Sequence, residues 1–159
     1  MSFDDWALAL HVVSAFALVA GIVCFWVITV AARSADTPEA TLRLGPVAQI
    51  AGAAIGIGMG GTIILGIWLA FSVGGYDIWD PWIVAAIVLW LLAAAVGRRA
   101  DQAAKPAVRK AQELQSAGRT GPDPELAALN TASGGVVVQA LTSLVVLLIL
   151  VDMIWKPGA

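Results

Sequence analysis

Four long apolar stretches, separated by short polar segments, organise this chain. They run from Trp6 to Ala32, Pro46 to Ser72, Pro81 to Gly97 and Gly134 to Trp155, and the only Asp, Glu, Lys or Arg inside any of them is Asp152. Crossing a bilayer core of about 30 Å at about 1.5 Å per residue takes roughly 20 apolar residues, so each stretch is predicted to form a transmembrane helix. The third is the shortest; Asp80 and Pro81 supply its N-cap and first-turn proline. The pattern predicts an all-α membrane protein, a four-helix up-and-down bundle forming one membrane domain over residues 1–159.

The connections, 33–45 and 98–133, carry signals of their own. Thr37-Pro38-Glu39 reads as an N-cap, a first-turn proline and an acidic first turn, predicting a short helix before Gly45-Pro46. In the long connection, Lys105 to Ala117 is helix-compatible and Gly118 is placed to end it. Asp123-Pro124-Glu125 then restarts a helix expected to run through Asn130 into the fourth span. The long connection is expected to be a solvated amphipathic segment lying near anionic headgroups. The spans do not repeat in two halves, which argues against an inverted-repeat transporter.

Composition agrees with the pattern. Of 159 residues, 60% are apolar and 13% charged, too little polar surface for a soluble domain. A net charge of −2 argues against a nucleic-acid partner; the expected partners are the lipid bilayer and a second copy or a membrane subunit. Cys24 is the single cysteine, so no intrachain disulfide forms. The acidic start, Asp4-Asp5, is unlike a signal peptide, and the first span is expected to be retained.

Charge also sets the expected orientation. Arg33, Arg43, Arg98, Arg99, Lys105, Arg109, Lys110 and Arg119 lie in the two long connections, whereas Lys156 is the one basic residue on the opposite side. The positive-inside rule then puts both termini outside and the connections in the cytoplasm of a multi-pass protein of the cell inner (plasma) membrane. Trp6, Trp79, Trp82 and Trp155 fall at outer helix ends, with Trp68 about a turn inside and Trp26 as the inner counterpart, as an interfacial belt requires.

Candidate chemistry is sparse. His11, the single histidine, lies within the first span; an ionisable intramembrane group is a functional-site candidate, and imidazole ligates haem iron and metals. The competing reading is a neutral histidine packed in the bundle and bonded to Ser14 or a neighbouring helix. Asp152 lies at a similar depth and either orients His11 or pairs with Lys156 at i,i+4, the simpler expectation. Met153 or Met59 would complete a His/Met haem pair or a soft copper site, although methionine is more often packing filler. His11, Met153 and Asp152 thus form the candidate cofactor-binding set, with His11 also the candidate metal ligand.

The second span is rich in glycine. Gly52, Gly56 and Gly60 follow the small-xxx-small spacing that brings helices together, within the bundle or in a dimer; a groove for a flat cofactor is the other reading. Gln49, Thr62, Gln139, Thr142 and Ser143 are candidates for hydrogen bonds between helices. No phosphate-binding loop, paired-cysteine zinc motif or two-histidine helix occurs, no serine triad can be built, and no catalytic residue is assigned.

Three stretches carry a resemblance. Leu8-Ala9-Leu10-His11-Val12-Val13 with downstream Gly21, then Asp123-Pro124-Glu125-Leu126, then Met153-Ile154-Trp155-Lys156-Pro157 resemble the bacterial four-helix "predicted integral membrane proteins", a family of unknown function. The opening Leu-His run is also similar to those of copper-resistance D-like proteins and membrane protoporphyrinogen oxidases. That second likeness implies a link between His11 and haem or porphyrin. It covers His11 alone, and Phe16 stands where those families place a tryptophan. The functions expected are, first, haem, porphyrin or metal binding through His11 without catalysis. The others are a structural or accessory subunit assembling through the glycine-rich helix, and an enzyme of porphyrin metabolism.

Overall fold

The computed structural model describes residues 2–72 and 77–157, and every regular element in them is an α-helix. The order is α1 (Phe3–Ala32), α2 (Pro38–Arg43), α3 (Gly45–Ser72), α4 (Pro81–Ser116), α5 (Pro124–Thr131) and α6 (Ser133–Trp155). Helices α1, α3, α4 and α6 each contain a segment long and apolar enough to cross a membrane, as the hydropathy pattern predicts. Because they alternate in direction, the start of α1, the end of α3, the start of α4 and the end of α6 share one end of the bundle, the terminal end. Helices α2 and α5 sit at the other, the loop end.

Local chemistry explains most boundaries. Ser2 and Asp5 form a reciprocal capping box at the start of α1. Thr37 caps α2 through Ala40 N–H and Asp123 caps α5 through Glu125 and Leu126 N–H, with Pro38 and Pro124 in the first turn as the sequence predicts. Gly118, at φ +71°, ends α4, with Gly118 N–H bonded to Gln115 and Arg119 N–H to Leu114, the paired carbonyl closure of a left-handed glycine cap. Asp80 flanks α4 but makes no side-chain cap; its carboxylate accepts from Asp77 N–H at 3.1 Å instead.

Two boundaries differ from the hydropathy reading. Helix α4 does not stop at Gly97 but continues through Arg98 and Pro106 to Ser116. Apart from Pro106, which the helix runs through, the residues from Arg98 to Ser116 are mostly good helix formers. Conversely, α5 does not run into the fourth span: Ala132 takes an extended conformation, ψ 126°, and separates α5 from α6.

The helices pack as two antiparallel pairs, α1 on α3 and α4 on α6. The pairs meet at mid-bundle around Leu18, Ile22, Ala93 and Val146. Three polar bonds reinforce that seam: Trp26 Nε1 to Ser143 Oγ at 2.8 Å, Gln139 Nε2 to the Ile22 carbonyl at 3.2 Å, and Trp90 Nε1 to the Met59 carbonyl at 3.0 Å. Gln139 and Ser143 therefore act between helices as expected. Thr62 and Thr142 bond carbonyls of their own helices, and Gln49 is exposed.

The loop end is a small folded cap. Ala107, Ala111 and Leu114 of α4 bury against Leu126 of α5, with Leu42 and Leu129 packed around them. Asn130 Nδ2 donates to the Ala35 carbonyl and to Thr41 Oγ1, Asp123 N–H to the Asp36 carbonyl, and Lys110 pairs with Glu125.

Candidate functional site around His11

His11 lies in the third turn of α1, facing α3, in a row of complementary shapes. A β-carbon built on Gly58 would come within 2.6 Å of the Leu18 backbone nitrogen, and one on Gly21 within 2.6 Å of Ile55 Cγ1. One on Gly61 would collide with the Ser14 hydroxyl, and one on Gly66 would meet His11 Cε1 at 3.1 Å. The glycines on α3 thus make room for Leu18, Ser14 and His11 in turn, which is how two helices approach closely in lipid. The imidazole fills the space that Gly66 leaves.

The ring is half-buried, with the Thr62 backbone of α3 within its reach, and its Nδ1 is enclosed and has no partner. Ser14, one expected partner, gives its hydroxyl proton to the Leu10 carbonyl at 2.8 Å. Burying a polar nitrogen without a partner has a cost, which keeps His11 a candidate functional residue as an ionisable group inside a membrane segment.

The other expected members do not join it. Asp152 is buried, 8% exposed, and its Oδ2 has no partner, so no pair forms with His11. The expected i,i+4 ion pair with Lys156 does not form either. Lys156 leaves α6 in the left-handed conformation, φ 42°, and its ammonium sits 5.2 Å from the centre of the Trp82 ring. Met153 belongs to the apolar cluster of Ala70, Trp82 and Ile83, and Met59 to the mid-bundle core. Among the described residues no three His, Cys, Asp or Glu side chains gather as a metal site.

The close approaches at Gly58, Gly61 and Gly66 leave no gap for a flat cofactor between α1 and α3, and neither of two surface depressions, about 420 and 370 Å³, is lined by His11.

The glycine stripe singled out by spacing faces the other way. A β-carbon at Gly52, Gly56 or Gly60 would meet nothing within 4 Å, so this row does not pack inside the bundle. The glycines that do are Gly21, Gly58, Gly61 and Gly66. Their signal in the sequence was present but split: small residues on one row of α3 have to be matched, in antiparallel order, with Leu18, Ser14 and His11 of α1.

Four apolar helices in two antiparallel pairs, tied by a folded cap, define a multi-pass membrane protein. No protein-family model, curated protein or solved structure matches this chain, so the resemblances rest on their short motifs alone.

Proposed function

We propose that the protein is a non-catalytic accessory subunit of the cell inner membrane, termini outside and cap in the cytoplasm, which assembles through the exposed face of α3. The observation that carries this reading is the open row Gly52, Gly56 and Gly60, flanked by Ile50, Ile57 and Ile64, each 68–72% exposed. Small residues between bulky ridges let a second helix approach closely, with van der Waals packing as the main attraction in lipid. The occupant is a second copy or a membrane partner. Replacing Gly56 with Leu would block the row while meeting nothing in the chain's own fold. The expected result is a smaller assembly in detergent, read by light scattering, with helix content unchanged. Normal assembly of the variant would remove this face from consideration.

A second reading keeps one observation on its side. The unpartnered Nδ1 of His11 could serve as one metal or haem ligand, and a partner protein or a second copy would have to supply the others. Protein purified from haem-supplied cells tests it. A Soret band lost in His11→Ala would support this reading, and no band in either protein would retire it. The third reading, a porphyrin-metabolising enzyme, has the least support: His11 and Asp152 are the only ionisable His, Asp, Glu, Lys or Arg groups within the four apolar stretches, and they are not paired.

A further inference from the structure

Asp152 is the one carboxyl within the four apolar stretches, and the fold buries it beside no partner. Its Oδ2 is enclosed with no donor in reach, and no ion pair among the described residues includes it. The charged groups at the same end of the bundle are engaged elsewhere. On α1, Asp4 accepts from Trp68 Nε1 of α3 at 3.3 Å, Asp5 closes the Ser2 capping box, and His11 faces Gly66. Ahead of α4, Asp80 accepts from Asp77 N–H, and α3 carries no Asp, Glu, Lys or Arg. Lys156 stands over the Trp82 ring and bonds Asp152 through the backbone, its N–H to the Asp152 carbonyl at 2.8 Å.

Burial selects the ligand. A metal ion would need several oxygen ligands, and among the described residues no three His, Cys, Asp or Glu side chains gather. A cationic side chain from another protein cannot reach an oxygen closed inside the bundle. A proton needs neither room nor further ligands, and it removes the charge whose burial is costly. The last turn of α6 has little else to hold it: Met153 enters the cluster of Ala70, Trp82 and Ile83, whereas Ile154 and Trp155 face outward. We propose that Asp152 is a proton-binding site whose occupancy latches the last turn of α6 against α4. With its proton at neutral pH the side chain packs as a neutral acid. When the proton leaves to water at the terminal end, the bare carboxylate draws the turn outward. The site depends neither on assembly through α3 nor on which way the protein is inserted.

The full-length protein in phosphatidylcholine nanodiscs tests both halves. At neutral pH its infrared spectrum should contain a carboxylic-acid C=O band that shifts when aspartate is isotope-labelled and is missing in Asp152→Asn, which keeps the size and removes the titration. Asp123, the other buried aspartate, is paired with Arg119 and accepts from Leu126 N–H, so it contributes no such band. Absence of the band from wild type would overturn the proton. Its persistence in Asp152→Asn would assign it elsewhere and overturn the site, and a band unmoved by labelled aspartate would do so without any variant. The latch is read by hydrogen exchange of the amides of residues 150–155, corrected for base catalysis, as pH rises from about 7 to about 10. Wild type should lose about tenfold in protection as the band disappears, while Asp152→Asn keeps its protection. Equal behaviour of the two proteins, or a band that outlasts that range, would overturn the latch. Because every arm uses the intact protein and none reads oligomeric state, failure here is distinguishable from failure of α3 assembly.

Discussion

Single glycines decide how the membrane helices sit against one another, and two of them make opposite predictions. At Gly58 an added methyl would press on the Leu18 backbone, which cannot swing aside as a side-chain tip would. Gly58→Ala should therefore separate α1 from α3 and lower stability by about 1–3 kcal/mol, the usual range for overpacking. Gly56→Ala meets open space and gains helix propensity, so it should be neutral or stabilising by up to about 1 kcal/mol. Thermal unfolding in detergent, followed by tryptophan fluorescence, compares the two directly; equal effects would mean that the α1–α3 register described here is wrong. The sequence shows the glycines of α3 but not which row is engaged. That depends on the rotation of α3 about its axis, and uniform apolarity leaves no polar face to reveal it. The same absence hid the fate of His11: its imidazole sits opposite Gly66, a match visible only once two helices are laid side by side.

Helix ends were the most legible features, because polar residues mark them, whereas the packing of Leu42, Ala111, Leu114 and Leu126 into a cap was not read from the sequence. Thr37, Pro38, Gly118, Asp123 and Pro124 each do in the structure what their chemistry predicts. The continuous α4 was missed because hydropathy ends at Gly97 while helix propensity does not. The cap should respond to acid through Asp123. Its carboxylate accepts from Leu126 N–H, which holds it below the ordinary value of 3.8, with help from the Arg119 and Lys110 charges and against desolvation. A carboxyl depressed on folding contributes in full above that ordinary value, and the contribution disappears as pH falls through the lowered folded value. Lys110, raised above its ordinary 10.5 mainly by its bond to Glu125, loses its contribution only as pH rises past that range. Near neutrality both hold. Limited proteolysis of the 117–123 segment should accelerate sharply below about pH 4, where the ordinary aspartate value lies, and Asp123→Asn, which still caps, should flatten that acid limb. Leu126, fully buried, tests the cap from its core: Leu126→Ala should cost about 2–5 kcal/mol and open the same segment at neutral pH.

At the scale of the whole molecule the open question is which end faces which compartment, and charge gives a definite answer to test. The loop end holds all the Lys and Arg except Lys156, and the terminal end holds Asp4, Asp5, Asp77, Asp80 and Asp152. Basic segments are retained on the cytoplasmic side during insertion, so the cap should lie inside. Cys24, the single cysteine, is removed first as Cys24→Ser, leaving a background without thiols. Trp79→Cys marks the terminal end, since Trp79 is 84% exposed, and Gln115→Cys marks the exposed last turn of α4. In intact cells a membrane-impermeant maleimide should label Trp79→Cys and spare Gln115→Cys until the membrane is permeabilised. The reverse pattern would invert the protein and place the cap outside. Labelling of both sites in intact cells would mean that an even number of crossings, not one, separates them, which would undo the four-span topology itself. The marks are spaced to make that distinction: α4 alone lies between them, so one crossing, and nothing else, decides whether the two thiols share a compartment.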